Sequence, residues 1–183
     1  MKLKFIFQLA FCTLLFIGCS IDEQEDFLKD SSGIKTSEVE LKAKVVNRPF
    51  KSKASGNWFF TESTNCNGLL QFSIKGNGKA IHLGIIDVEG VICTIPNEQF
   101  YLSGKYIAAN GDELYWESVE VFFDEFGLFA GGVFDFVGGT GRFSDATGSF
   151  RSNETLIVEE LDETTGQPVS GTFSNDGWGT IIY

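Results

Sequence analysis

A chain of 183 residues holds one domain of ordinary size, with room for a non-globular extension, and excludes a multidomain machine. Twenty-one glycines and nineteen phenylalanines against three prolines are too aromatic for a disordered chain and too rich in helix breakers for a bundle, which points to an all-β domain. With 14 basic and 25 acidic residues the net charge is −11, which argues against a nucleic-acid partner because phosphate contacts need Lys and Arg.

Lys2 and Lys4 precede an apolar run from Phe5 to Ile17, followed by Gly18 and Cys19. This is the layout of an export signal: a charged start, a short hydrophobic stretch and a small residue at the processing point. The run falls short of the roughly 20 apolar residues that a membrane-spanning helix needs. Leu15-Phe16-Ile17-Gly18-Cys19 resembles a bacterial lipobox. That resemblance implies that residues 1–18 are a lipoprotein signal peptide and that Cys19 carries a diacylglycerol thioether and a palmitate-type amide. Its partner is then a lipid membrane, reached through the N-terminal anchor. The plain alternative is an ordinary cleaved signal with an incidental cysteine. Directly behind it, Asp22, Glu23, Glu25 and Asp26 crowd into five positions. Such a run after a lipidated cysteine looks like a signal for the outer leaflet of the outer membrane, so the expected location is the cell envelope, lipid-anchored and surface-exposed. A solvated acidic spacer is the other reading.

Residues 19–55 read as a tether with at most one early strand. They hold Ser31-Ser32-Gly33 and the basic cluster Lys42, Lys44, Arg48, Lys51 and Lys53. Residues 56–183 carry short β-rich runs punctuated by turn residues, the texture of an antiparallel sandwich or barrel. The runs are 58–61, 69–75, 79–88, 99–109, 113–123, 128–137, 154–161, 169–174 and 178–183. Gly76-Asn77-Gly78 and Asn110-Gly111 are read as hairpin turns, since type I′ turns need positive φ, and Asn175-Asp176-Gly177 as a further turn. In 128–137 both faces are apolar, which suits a small barrel whose lumen is packed or lined for an apolar ligand.

Three segments stand out: Ala80-Ile81-His82-Leu83-Gly84, Ala108 to Leu114, and Gly138-Gly139-Thr140-Gly141-Arg142-Phe143 with the following Ser144 to Ser149. In this order they resemble the small secreted bacterial proteins grouped with the allene oxide cyclase and dirigent barrels. The resemblance implies a closed eight-stranded antiparallel barrel, often self-associating, so a homo-oligomer is one expected partner. It implies no particular functional residue. The glycine-rich segment is a turn rather than a phosphate cradle, because no Lys-Ser/Thr follows and no helix opens after it.

His82, the single histidine, is placed mid-strand as a core or lumen residue; a catalytic base would need a partner. One imidazole and cysteines without zinc-finger spacing give no expected metal or other cofactor. Asp87 with Glu89, and Glu117 with Glu120, are either acid–base or calcium pairs or the solvated face of a strand. Cys66 and Cys93 either pair outside the cytoplasm or stay as buried free thiols.

Aromatic richness without a nucleophile–base–orienter set favours a non-catalytic binding or structural module. Its small apolar or aromatic ligand would be lined by His82, Trp116, Phe134, Phe136 and Trp178. An enzyme that steers a reactive intermediate by shape, cyclase- or dirigent-like, is the alternative, and an adhesin or accessory subunit a further one. Residues 56–183 hold five basic and eighteen acidic side chains, so the excess acid sits on the domain and not on the tether.

Overall fold

The computed structural model describes residues 46–62, 66–95, 99–125 and 127–183. The segments read as a signal peptide, lipidation site Cys19, acidic run and tether up to residue 45 lie outside the described residues. Eight antiparallel strands follow in chain order: β1 (Asn47–Phe60), β2 (Leu70–Ala80), β3 (Gly84–Ile95), β4 (Gln99–Ala108), β5 (Glu113–Phe123), β6 (Phe129–Gly139), β7 (Thr147–Leu161) and β8 (Pro168–Ile182). Each pairs with its neighbour in sequence, and β1 pairs with β8 from Asn47↔Ile182 to Phe59↔Ser170. The sheet therefore closes into an eight-stranded barrel, which leaves no edge strand to pair with another chain.

Closure at eight strands makes a tube just wide enough for side chains to fill. Alternate residues point inward. On β1 these are Phe50, Ser52, Ala54 and Trp58, and on β3 Ile86, Val88 and Ile92. The centre is an aromatic plug. Phe50 meets Phe136 edge-on at 4.9 Å and Phe150 at 5.4 Å, and Phe150 stacks on Phe134 at 5.1 Å and Phe136 at 5.0 Å. Rings of this size fit because the facing wall is often glycine. A Cβ on Gly104 would lie 2.5 Å from the Trp116 ring, and one on Gly171 would lie 2.7 Å from the Trp58 ring. The excess of glycine and phenylalanine in the composition is one packing solution seen from two sides.

Several boundaries differ from the sequence reading. The barrel begins at Asn47, so residues 47–55, assigned to the tether, belong to β1; Lys51 and Lys53 are its outward positions between inward Phe50, Ser52 and Ala54. The β2–β3 turn is Ile81-His82-Leu83, not Gly76-Asn77-Gly78, which lies within β2. Gly76 and Gly78 serve close approach to β1 there, where a Cβ would meet the Ser55 and Lys53 carbonyls. Asn175-Asp176-Gly177 likewise lies inside an unbroken β8. The two apolar faces of residues 128–137 have a local cause. Register shifts against β5 near Phe122 and Phe123, with Gly131 at φ +139, switch the inward side from Phe129 to Phe134 and Phe136.

Cys66 and Cys93 are disulfide-bonded, Cα to Cα 5.3 Å, tying the β1–β2 connection to the end of β3. The opposite end of the barrel is closed. Leu83, Leu114, Phe143, Ala146 and Ile181 are buried there beneath the 3-10 turn Gly141–Phe143.

The ring-on-glycine packing predicts that Gly104→Ala destabilises the barrel by about 2–3 kcal/mol, the cost of overpacking a filled core. Urea denaturation measures it. The near-UV circular dichroism of the Trp116 environment should change in the same variant.

Candidate functional site

Among the described residues, the end of the barrel away from the closed turns is an open mouth. It is built from the last residues of β1, β3, β5 and β7 and the first of β2, β4 and β8: Phe60, Phe72, Ile95, Phe100, Phe123, Val158 and Val169 line it, with Thr94, Gln99, Thr165 and Gln167 as polar rim. The depression has a volume of about 1180 Å³. Its walls are made by ring pairs, with Phe100 stacked on Phe129 at 4.8 Å and Phe72 edge-on to both Trp58 and Phe60 at 5.7 and 5.8 Å. Trp58, Ile92, Phe129 and Leu156 line both the mouth and a narrower cavity below it, of about 30 Å³. That lower space suits a water or a small polar head, not a ring.

The lower cavity is where polarity enters. Glu154 on β7 and Asn175 on β8, register partners, line it together with Tyr106, Trp116 and Phe134. Ser152 Oγ donates to Glu154 Oε1 at 2.8 Å, and Asn175 Oδ1 accepts the Ala54 backbone N–H at 3.1 Å. Burial pushes the Glu154 carboxyl up to about 7, although Ser152 and the Asn175 amide pull the other way. Burial also raises the Tyr106 phenol, helped by the negative charge on Glu154. Trp116 Nε1 is buried with no hydrogen-bond partner among the described residues. Ser52 Oγ lies beside Tyr106 without reaching hydrogen-bond geometry. Trp58 Nε1, by contrast, donates to the Thr172 carbonyl at 3.2 Å. The arrangement is an apolar funnel ending on one protonatable carboxyl, one amide and one unused indole N–H.

The residues expected to line a ligand divide. Trp116 and Phe134 face the lower cavity. Phe136 belongs to the plug against Phe50 and Phe150. His82 is not in a strand or in the lumen. It sits in the β2–β3 turn at φ +75, with its Nε2 3.0 Å from the Pro49 carbonyl oxygen and its own carbonyl accepting from Arg142 Nη2 at 2.7 Å. The hairpin turns later than Gly76-Asn77-Gly78, at Ile81-His82-Leu83, and that puts His82 at the closed end. Trp178 is on the outer wall and 42% exposed, because the strand continues through Asn175-Asp176-Gly177 and fixes its parity.

Asp87, Glu89, Glu117 and Glu120 are exposed positions of the outer wall. Glu89 and Glu113 flank Lys105 at 3.5 and 2.6 Å, and the Lys105 hydrogen bond holds the Glu113 carboxyl below its usual range. Among the described residues no His, Cys, Asp or Glu group is arranged to hold a metal ion. Glu154 and Asn175 escape the sequence reading because one was read as the first residue of a strand starting at 154 and the other as the start of a turn. The available signal was parity: Phe150, Ser152, Glu154 and Leu156 share one face of β7.

A carboxyl whose pKa rises on folding binds more protons in the folded than in the unfolded state between its unfolded value near 4.5 and its folded value of about 7. Its ionisation therefore costs stability as pH rises through that window. Glu154→Gln is expected to gain on the wild type by up to about 3 kcal/mol between pH 4.5 and pH 8. Urea unfolding of both proteins at the two pH values measures the difference.

No protein-family description matches the chain, and no curated protein does. Among solved structures the barrel is similar to the pterocarpan synthase dirigent protein GePTS1, at 12% identity and a TM-score of 0.49, over 76% of this chain and 86% of that one. It is also similar to the pterocarpan synthase dirigent protein PsPTS1, at 14% identity and a TM-score of 0.45, over 75% of this chain and 95% of that one. These are likenesses of chain trace, and no residue role passes through them.

Proposed function

We propose that the chain is a lipid-anchored, surface-exposed lipoprotein of the outer membrane whose barrel is a non-catalytic binding module for a small apolar or aromatic ligand. The barrel reading is carried by the apolar mouth of about 1180 Å³, which shares the walls Trp58, Ile92, Phe129 and Leu156 with the lower cavity at Glu154. A space that is apolar with a few convergent polar groups is the usual form of a small-molecule site. The location is supported by the export signal, Cys19 and the acidic run behind it. The ligand's apolar body fills the funnel, and any polar head is small enough for the space below.

One observation favours a second reading, a shape-steering enzyme of cyclase or dirigent type. A lumenal carboxyl raised to about 7 can hold or release a proton near neutral pH, whereas the walls supply only shape. A change in product stereochemistry with epoxide or phenoxyl-radical substrates, lost in Glu154→Gln, would select this reading.

Native mass spectrometry of protein purified from its host should retain a ligand. In vitro, N-phenyl-1-naphthylamine is expected to brighten on binding and saturate near one probe per barrel. Leu156→Trp, which fills the neck, should weaken that binding at least about tenfold, a loss of about 1.4 kcal/mol, while the protein keeps its folded circular dichroism. Binding unchanged by a blocked neck would contradict the proposal, as would no saturable binding at all.

A further inference from the structure

The outer wall is not uniformly acidic. From β3 to β6 its outward positions carry Asp87, Glu89, Glu113, Glu117, Glu120 and Asp135 against Lys105 alone. Across β7, β8, β1 and β2 they carry Arg151, Lys51, Lys53, Lys75 and Lys79 against Asp176, which pairs with Lys53 at 2.8 Å, and against Glu159 and Glu160 at the mouth end of β7. A chain with a strong excess of acid thus keeps one basic face.

An exposed tryptophan sits in the middle of that face. Register places Trp178 directly between Lys51 on β1 and Arg151 on β7. Arg151 lies 4.3 Å over the Phe122 ring, and Ile81, 43% exposed, flanks Lys51, to whose carbonyl its N–H donates. An aromatic with cations on either side is the composition of a membrane-interface anchor. None of these side chains serves the lumen. The chain enters β1 at Asn47, on the same strand as Lys51 and at the same end of it. From Cys19 to Asn47 there are 28 residue steps, about 95 Å at the extended limit, long enough for this wall to reach a bilayer that holds Cys19.

We propose that the Lys51–Trp178–Arg151 wall docks on the phosphate-bearing lipid surface to which the chain is anchored, laying the barrel on its β7–β8–β1–β2 side with the mouth left open along the membrane. This rests on the lipid-anchor reading of Cys19. Each Lys or Arg that reaches an anionic surface strengthens contact about fivefold, and Trp178 inserts between the headgroups. The acidic β3–β6 wall, repelled by the same surface, faces outward.

The test uses the full-length lipidated protein reconstituted into vesicles of phosphatidylcholine, alone or mixed with phosphatidylglycerol, with acyl-chain-brominated lipid as quencher. Anionic vesicles should quench a component of tryptophan emission that is absent in Trp178→Phe. The quenching should fall at least about fivefold in Lys51→Glu/Arg151→Glu, and fall likewise at about 0.5 M salt, where the Debye length shrinks to about 4 Å. Protein that floats with both vesicle types but whose Trp178 emission is not quenched overturns the docking while leaving the anchor intact. Protein that fails to float with neutral vesicles overturns the anchor; the wall is then supported if anionic vesicles still quench Trp178 and overturned if they do not. Self-association in the ultracentrifuge that the charge-reversed variant abolishes would assign the wall to the acidic face of a second copy instead.

Discussion

Closing eight strands on themselves creates a tube that must be filled from within, and the rest of the molecule follows from how it is filled. Aromatic rings do most of it, and they need glycine opposite them. Gly104 receives the edge of Trp116 and Gly171 receives Trp58, at distances where a methyl group has no room. Stacked and edge-on contacts among Phe50, Phe134, Phe136 and Phe150 then seal the tube at its waist. Below the seal the closed end is dense. Above it the packing opens into the lower cavity and the mouth.

The position of the funnel explains its chemistry. Its floor lies where the ring packing stops, so any polar side chain pointing inward at that level is largely desolvated without being crushed. Glu154 occupies that level, and the low polarizability of its surroundings, not a charged neighbour, is what raises its pKa. Asn175 and Ser152 moderate the effect by hydrogen bonding. On the proposed function, a tube with an adjustable proton at its floor binds first and reacts only where the ligand itself brings the chemistry. On the outside, the same parity that turns Glu154 inward turns Arg151 and Trp178 outward, so one set of strands supplies both the lumenal floor and the basic wall.

Much of the architecture was legible in the sequence, because composition, turn spacing and the resemblance of three glycine-bearing segments all point to a closed eight-stranded barrel. Asn110-Gly111, although only Gly111 and not Asn110 takes the positive φ that a type I′ turn requires at both positions, marked the place of its turn. Gly76-Asn77-Gly78 and Asn175-Asp176-Gly177 did not, because glycine in a narrow barrel serves backbone approach and ring packing as often as it serves turns. The same ambiguity hid β1, whose alternation of Phe50, Ser52 and Ala54 with Lys51 and Lys53 was read as a basic tether. It also hid the site. Trp116 and Phe134 were legible as lumenal aromatics, whereas Trp178 and His82 were misplaced once a turn was misread, since a shift of one residue exchanges inside for outside. Glu154 could not be singled out among eighteen acidic residues of the domain without the register that buries it.

Carbon-13 NMR titration of selectively labelled glutamate side chains observes directly the desolvated carboxyl at the floor of the apolar funnel. One carboxyl, missing in Glu154→Gln, should titrate near 7, and its signal should shift when an apolar ligand enters the funnel. A Glu154 resonance that titrates near 4.5 and ignores the ligand would mean that the floor is wet, and the account would fail there.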